Sequence, residues 1–188
     1  MLEGKSILCV IPARGGSRRL PFKNIMLFRG KALIQWAIEH AEGSKYVDRI
    51  VVSTEDQAIA LHAGKYFLER PAFLAEDRVP TEAVMAHVLH QVMDYDFAVL
   101  LQPTSPLRSI EDIDRSIEIA VTKDGVNVLT GCVSYNEYGK RNGAIFVCNV
   151  RHFLQHLSFD AAHHYMMPNS RSLDINYAWD LKDENPDR

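Results

Sequence analysis

The stretch Val10-Ile-Pro-Ala-Arg-Gly-Gly-Ser-Arg-Arg-Leu-Pro-Phe-Lys-Asn24 gathers the residues best suited to chemistry. Arg14, Arg18, Arg19 and Lys23 place four cations on one short segment, interleaved with Gly15, Gly16 and Ser17. Glycines permit positive φ, so consecutive N–H groups around Gly15 and Gly16 can turn toward a single anion. Ala13 leads into this bend and Asn24 closes it. Leu20 precedes Pro21, which biases it away from the helical region, so the segment is expected to be a loop and not a helical first turn. A concave backbone lined by cations suits a polyphosphate. No Gly-Lys-Ser/Thr follows at the Walker spacing, and no G-x-G-x-x-G opens a helix. Side chains and loop amides, more than a helix dipole, would therefore hold the phosphates.

A second chemical stretch is Gln102-Pro-Thr-Ser-Pro-Leu-Arg108. Gln102 follows an apolar run directly, at the place where a strand-end side chain meets a ligand. A carboxamide both donates and accepts, which matches the edge of a pyrimidine; the plainer role is a proline-shaped turn whose Gln satisfies backbone groups. A third is Ser170-Arg-Ser-Leu-Asp-Ile-Asn-Tyr-Ala-Trp-Asp180, where alternation puts Asp174 and Asn176 on one face of an extended segment. Arg70 and Asp77 lie in an irregular region, as surface ions or as partners of each other. His87 and His90 share a helical face with no third ligand nearby, so solvent-facing rings are expected, and His152 and His156 stand one turn apart, where a metal pair is conceivable but the segment reads as an ordinary short surface helix.

The elements that must position these residues follow from periodicity. Ile7–Ile11, Ile50–Val52 and Phe97–Leu101 are short continuous apolar runs, the pattern of strands buried on both faces. Between them, residues 32–42 recur at helical spacing through Ile34, Ala37, Ile38 and Ala41, ending near Gly43. Thr54 with Gln57 forms a capping-box pattern for a helix running toward Gly64, and Ser109 with Asp112 forms another. Val84, Met85, Val88, Leu89 and Val92 make one buried stripe, and Ile113, Ile117, Ala120 and Val121 make the next. Residues 65–80 look irregular, 126–133 and 142–148 strand-like, and 177–184 like a short last helix before a frayed tail. Alternating strand and helix predicts an α/β chain with a mostly parallel central sheet and helices on both faces. Ligands on such sheets sit beyond the carboxyl ends of strands, where the 14–24 loop begins.

Ile11-Pro-Ala-Arg-Gly-Gly-Ser-Arg18 with Lys23-Asn24 resembles the signature loop of the cytidylyltransferases that activate sialic acids and related nine-carbon sugar acids. Further matches follow in order: Arg70-Pro71 with Leu74-Ala-Glu-Asp77 and Thr81, Leu101-Gln-Pro-Thr-Ser-Pro-Leu-Arg108, Asn142-Gly-Ala-Ile-Phe146, and Arg171-Ser-Leu-Asp-Ile-Asn176. Together they cover nearly the whole chain. The resemblance implies a Rossmann-like three-layer nucleotidyltransferase fold, one domain over residues 1–188. It implies transfer of CMP from CTP to the anomeric hydroxyl of a nonulosonic acid, with an eight-carbon acid as the neighbouring alternative. It places the nucleotide on Ala13, Arg14, Gly15, Gly16, Ser17, Arg18, Lys23, Asn24, Arg70 and Gln102. It places the sugar acid on Thr104, Ser105, Arg108, Lys140, Arg141 and Asn142, and a Mg²⁺ ion on Asp174 and Asn176. Arg14, Lys23 and Asp174 would then be catalytic. Two residues depart from the family pattern: Arg18 stands where Lys is usual, and Asn176 stands where a second Asp is usual, removing one formal negative charge. Family members carry a longer excursion near 134–141 that forms much of a dimer contact. A homodimer is thus the family expectation, and the segment that would build it is shortened here.

The totals bound what remains. At 188 residues the chain can bury its own core, and 47% hydrophobic with 24% charged residues is ordinary for a globular protein. A net charge of −3 argues against a general nucleic-acid surface and makes the basic loop a local exception. No apolar run reaches the length of a membrane span. Met1–Lys5 enters a strand directly without a signal-peptide pattern, and Cys9, Cys132 and Cys148 sit far apart in apolar runs. Buried free thiols and a cytoplasmic location are the expectation.

Overall fold

The computed structural model describes residues 1–122, 131–161 and 163–182. Strand β1 (Ile7–Pro12) leads, after the cationic loop, into a small hairpin of β2 (Leu27–Phe28) and β3 (Lys31–Ala32). There follow α1 (Leu33–Gly43), β4 (Arg49–Thr54), α2 (Gln57–Ala63), β5 (Phe67–Glu69), α3 (Thr81–Gln91) and β6 (Phe97–Leu101). The remainder comprises α4 (Ile110–Thr122), β7 (Gly131–Asn136), β8 (Arg141–Asn149), α5 (Val150–His156) and β9 (His163–Met167).

The described strands outside the hairpin build a seven-stranded sheet in the order β5-β4-β1-β6-β8-β7-β9. β5, β4, β1 and β6 run parallel, as do β7 and β9; only β8 is antiparallel to its neighbours. The mostly parallel α/β sheet expected from the sequence is therefore present. Its layering is visible in β1 alone, where successive side chains point to opposite faces. Ile7, Cys9 and Ile11 pack with the apolar stripes of α1, α2 and α4, whereas Leu8 and Val10 pack with Met85, Val88 and Leu89 of α3 and Phe153 of α5. Each fully buried aliphatic side chain of this strand contributes about 1.5–3 kcal/mol of transfer free energy. Removing both faces from water is why the run reads as continuously apolar.

Several local expectations change. Thr54 ends β4 instead of capping α2: its hydroxyl accepts from the Asp56 amide, and Asp56 is the cap, its carboxylate accepting from Ile59 N at 3.0 Å. Residues 65–80 are not wholly irregular, because Phe67–Glu69 adds an edge strand parallel to β4. β9 had no counterpart in the sequence reading. The strand expected over 126–133 is seen from Gly131, with 126–130 outside the described residues. The helix expected at 177–184 is a 3₁₀ turn, Asp180–Lys182, and 183–188 lie outside the described residues. Asp180 is the cause: its carboxylate takes the amides of Asn176 at 2.7 Å and Tyr177 at 2.8 Å, closing a local turn that competes with helix. Cys9, Cys132 and Cys148 are buried and free, and burial pushes each thiol up to about 12, so none is a ready nucleophile. No helix among the described residues is long and apolar enough to cross a membrane.

Candidate active site

A cleft of about 330 Å³ opens beyond the carboxyl ends of β1, β4 and β6, where the chain steps from β1 to β4 on one side and β6 on the other. Pro12, Arg14, Lys23 and Asn24 form one wall, Gln102, Pro103 and Thr104 the floor, and Asp174 and Asn176 the opposite wall. The first turn of α3 adds Thr81 and Val84. A wider outer recess of about 820 Å³, lined by Gly16, Ser17, Arg18 and residues 75–78, shares Glu76 and Asp77 with it. The basic loop near the amino terminus and the carboxylate far along the chain thus meet in one place.

The loop is shaped by its backbone. Ala13 extends the ladder by donating to Ser53 O at 3.0 Å; its side chain is buried in the core, so it supports the cationic wall and does not line the cleft. Neither glycine adopts positive φ; that conformation falls to Phe22 at 57°. Gly15 is needed for a different reason. A Cβ there would overlap the Asp56 carboxylate, so the loop passes directly against the cap of α2. Its amide donates to Glu55 Oε1 at 2.7 Å, which means the expected anion-facing N–H already holds a carboxylate. Asn24 is buried and fastens the bend by donating to Arg14 O at 2.9 Å. Ser17 accepts from Leu20 N at 3.3 Å.

The cations have distinct partners. Arg14 pairs with Asp77 at 2.7 Å, and Arg18 pairs with the same carboxylate. Arg70 is buried and does not meet Asp77; it donates to the hydroxyl and carbonyl of Ser53 and lies 3.8 Å from Glu55. Burial lowers its pKa while Glu55 acts in the other direction. Lys23 is half-buried, and burial lowers its ammonium pKa; Asp174 opposes that shift and Arg19 and Arg14 reinforce it. That coupling ties the two walls electrostatically.

The acidic wall is not a strand. Ile175 N donates to Thr104 O at 2.8 Å, and Asn176 Nδ2 donates to Asp174 Oδ2 at 2.7 Å, so residues 174 and 176 do sit side by side. No cluster of three His, Cys, Asp or Glu suited to a metal exists among the described residues. One carboxylate and one carboxamide oxygen are hard donors, and they fit a magnesium ion that draws its remaining oxygens from phosphate and water.

Most of the expected sugar-acid residues lie elsewhere. Arg108 is fully buried, its Nη1 donating to Gln102 O at 2.7 Å and Ala144 O at 3.0 Å; burial lowers its pKa to about 10. It braces the end of β6 against β8 and presents nothing to the cleft. Ser105 is fully buried beside it, and only Thr104 lines the floor. Lys140 and Arg141 are exposed at the β7–β8 turn, outside the cleft lining, with Arg141 over the Phe146 ring. Asn142 is buried in a network with Ser134 (2.6 Å) and Ser172 (3.1 Å). It supports the acidic wall from behind. His87 is half-buried, with burial lowering its pKa, while His90 is exposed as expected. The His152 and His156 rings lie 4.4 Å apart with their planes tilted by 36°.

Sequence reasoning missed the residues that hold these parts. Asp112 is buried and accepts from Arg171 (2.7 and 2.9 Å), Tyr165 (2.9 Å) and Ser109 N (2.8 Å). Ser109 N was its only foreseeable partner, through the capping box. Glu55, just after β4, had one available signal: an acidic residue beyond a strand's carboxyl end.

Residues 8–149 match the family model described as Cytidylyltransferase. An N-acylneuraminate cytidylyltransferase of Escherichia coli is 29% identical across 94% of this chain and 50% of its own length. A CMP-N,N'-diacetyllegionaminic acid synthase of Legionella pneumophila is 42% identical across 60% of this chain and 52% of its own length. The chain spans about half the length of the curated relatives it matches. Among solved structures, a CMP:2-keto-3-deoxy-manno-octonic acid synthetase complexed with CTP superposes with a TM-score of 0.74, at 16% identity over 95% of this chain and 96% of that one. That likeness establishes the nucleotidyltransferase fold.

Proposed function

The chain belongs to the cytidylyltransferase family, and from that premise we propose that it transfers CMP from CTP to the anomeric hydroxyl of a nonulosonic, sialic-acid-like sugar acid, releasing pyrophosphate. The observation that carries this reading is the shared cleft of Lys23 and Asp174 at the carboxyl end of the parallel strands. The names of the relatives point to the same class of acceptor.

In this reading the cytosine edge meets the Gln102 carboxamide at the floor, and the triphosphate runs along Arg14, Lys23 and the loop toward Ser17 and Arg18. The acceptor hydroxyl attacks the α-phosphorus in line; an O–P bond forms as the bond to the bridging α,β oxygen breaks, and pyrophosphate leaves. Arg14, Arg18 and Lys23 neutralise the charge that gathers on it, and positioning supplies much of the rest. Lys23 is suited to this because it is half-buried and its charge is little screened. Asp174, with the carboxamide oxygen of Asn176, would hold Mg²⁺ against the phosphates. Such an ion supplies charge neutralisation and a lowered pKa for the acceptor hydroxyl. Arg70 and Glu55 act beneath the site, fixing the end of β4 and the Gly15 amide. One nucleotidyltransferase unit over the chain suffices for all these roles.

A pyrophosphate-release assay with CTP, Mg²⁺ and sialic, legionaminic, pseudaminic and eight-carbon ulosonic acids tests the reading. Release with a nine-carbon acid is expected, and Asp174→Asn should reduce it on the order of a thousandfold, the several kcal/mol a catalytic cation contributes. CTP binding without release for every acid would overturn it in favour of a nucleotide-binding homologue that has lost turnover. Release with the eight-carbon acid alone would move the acceptor class.

A further inference from the structure

We propose that Gly143 is a positioning residue for the base: the gap it leaves in a bulge of β8 seats the Gln102 carboxamide oxygen, so that the carboxamide nitrogen meets the ring and selects cytosine over uracil. This rests on the cytidylyltransferase reading and deepens it at the floor of the cleft. The bulge is visible in the ladder. β7 and β8 pair at Val133–Phe146 and again at Tyr135–Arg141, so two steps along β7 are matched by five along β8, and residues 142–145 are thrown out of register. On its other side β8 still pairs with β6 through Leu101 and Ile145, one residue before Gln102. The bulge therefore lies against the floor. Asn142 fixes its shape, its Oδ1 accepting from Ala144 N at 3.1 Å and from the Ser134 hydroxyl at 2.6 Å. The enclosed Gly143 takes a φ of 73°. Ordinary side chains avoid that conformation, and bulges of this kind re-aim their neighbours.

Both sides of the gap are pinned. Arg108 Nη1 donates to Gln102 O at 2.7 Å and to Ala144 O at 3.0 Å, so one buried guanidinium spans floor and bulge. Within that frame a Cβ added at Gly143 would stand 3.3 Å from Gln102 Oε1 and 3.8 Å from its Cδ, with Nε2 farther away. The oxygen is thus seated on the glycine, and the nitrogen is the free end of a side chain that lines the cleft. Direction matters here. A carboxamide able to turn over pairs with either pyrimidine, offering its nitrogen to an acceptor or its oxygen to a donor. Cytosine N3 accepts, whereas uracil N3–H donates. A nitrogen held toward the ring attracts the first and meets the second donor to donor, the repulsive element that discrimination needs. A side chain at 143 would displace the oxygen by a few tenths of an ångström and release the amide to turn.

Isothermal titration of CTP and UTP into wild type, Gly143→Ala, Gln102→Ala and the double variant tests this. Wild type should prefer CTP by about tenfold or more, the scale of one mismatched polar contact. Gly143→Ala should lose most of that preference through weaker CTP binding, and should change nothing further in Gln102→Ala, where the carboxamide is gone. A glycine with only a structural role would weaken both nucleotides by one factor, and in both backgrounds. That result, or equal binding of CTP and UTP by wild type, would overturn the proposal. If Gly143→Ala does not fold, Gly143→Asn carries the same Cβ on a residue type that tolerates positive φ; the same loss is expected, and an undiminished preference would count against the gap. The analogue 3-deaza-CTP, which lacks the N3 acceptor, needs no variant: wild type should bind it about as weakly as Gln102→Ala binds CTP, and binding equal to that of CTP would refute the seated amide. A CTP preference that follows this pattern without pyrophosphate release for any sugar acid would keep the gap and remove the transfer reading. Equal release from CTP and UTP would do the reverse.

Discussion

The two walls of the cleft are built by opposite means. The cationic wall, residues 14–24, hangs on the backbone. It continues β1 through the Ala13 ladder bond, turns through Lys23 N to Leu20 O and Ile25 N to Phe22 O, and is fastened by Asn24 to its own start. The acidic wall, residues 172–180, has one backbone tie to the floor and otherwise depends on side chains of distant residues. Asp112 grips Arg171 and Tyr165, Asn142 grips Ser172, and Asp180 closes the end. A backbone-held wall tolerates most side-chain changes, whereas a wall held by buried charge can be lost through one.

The largest expected effect breaks that second wall. In Asp112→Asn the Arg171 guanidinium loses its only carboxylate partner among the described residues, and four hydrogen bonds lose their charged acceptor. Removing one member of such a pair costs about 3 kcal/mol, which for a chain of this size lowers Tm by roughly 6–12 °C. Calorimetry checks it, and an unchanged Tm would refute the clamp. Turnover should fall more than CTP affinity, because the acidic wall moves and the cationic one stays. The pH dependence has a definite sign. Burial by itself would raise the Asp112 pKa, but the bonds from Arg171, Ser109 and Tyr165 outweigh it and hold the carboxyl below its ordinary 3.8. Its contribution is therefore present above about pH 3.8 and lost as pH falls through the lower, folded value. Asp112→Asn should flatten that acid limb of the stability curve.

A smaller effect tests the first wall. Gly15→Ala drives a methyl group into the Asp56 carboxylate and should cost about 1–2 kcal/mol through local overpacking. Gly16→Ala, facing open space, should leave the urea midpoint within error. Equal midpoints for the two variants would show that the loop does not depend on its close approach to α2.

The same contrast explains what was legible in the sequence. Strands β1, β4 and β6, helices α1 to α4 and the place of the cationic loop follow from local periodicity and from chemistry concentrated in one stretch, whereas the edge strands β5 and β9 and the turn at Asp180 do not. Asp174 and Lys23 were brought together by family resemblance, and the cleft agrees. The positions of Arg108 and Asn142 were not legible, because a polar residue after a strand reads alike whether it faces a ligand or braces a neighbouring strand. Arg70 lines the cleft as the resemblance implied, but its burial was not legible, because it is set by Ser53 and Glu55 on β4 and just after it, which no spacing rule connects to it. The Asp112–Arg171 pair spans 59 residues, and its capping box disclosed only the local half. At Gly15 the constraint is space and not positive φ.

The smallest effect concerns the carboxylate that holds the cationic wall at its mouth. Asp77 bridges Arg14 and Arg18 across the mouth of the outer recess, with side chains about one-third exposed for Asp77 and Arg14 and largely exposed for Arg18. A triphosphate must draw on the same guanidiniums, so the carboxylate acts as an internal competitor. Exposed pairs of this kind contribute about 0–1 kcal/mol, so Asp77→Asn should tighten CTP binding by up to about fivefold at low ionic strength. The gain should shrink as salt shortens the screening length. The effect is modest because water already weakens the pair and because Arg14 also donates to Ala75 O at 3.3 Å, which stays after the substitution. Isothermal titration at two salt concentrations checks both points. A loss of CTP affinity in Asp77→Asn would mean that the carboxylate touches the ligand directly, and the mouth would then be a binding surface on both sides instead of a cationic wall with an acidic guard.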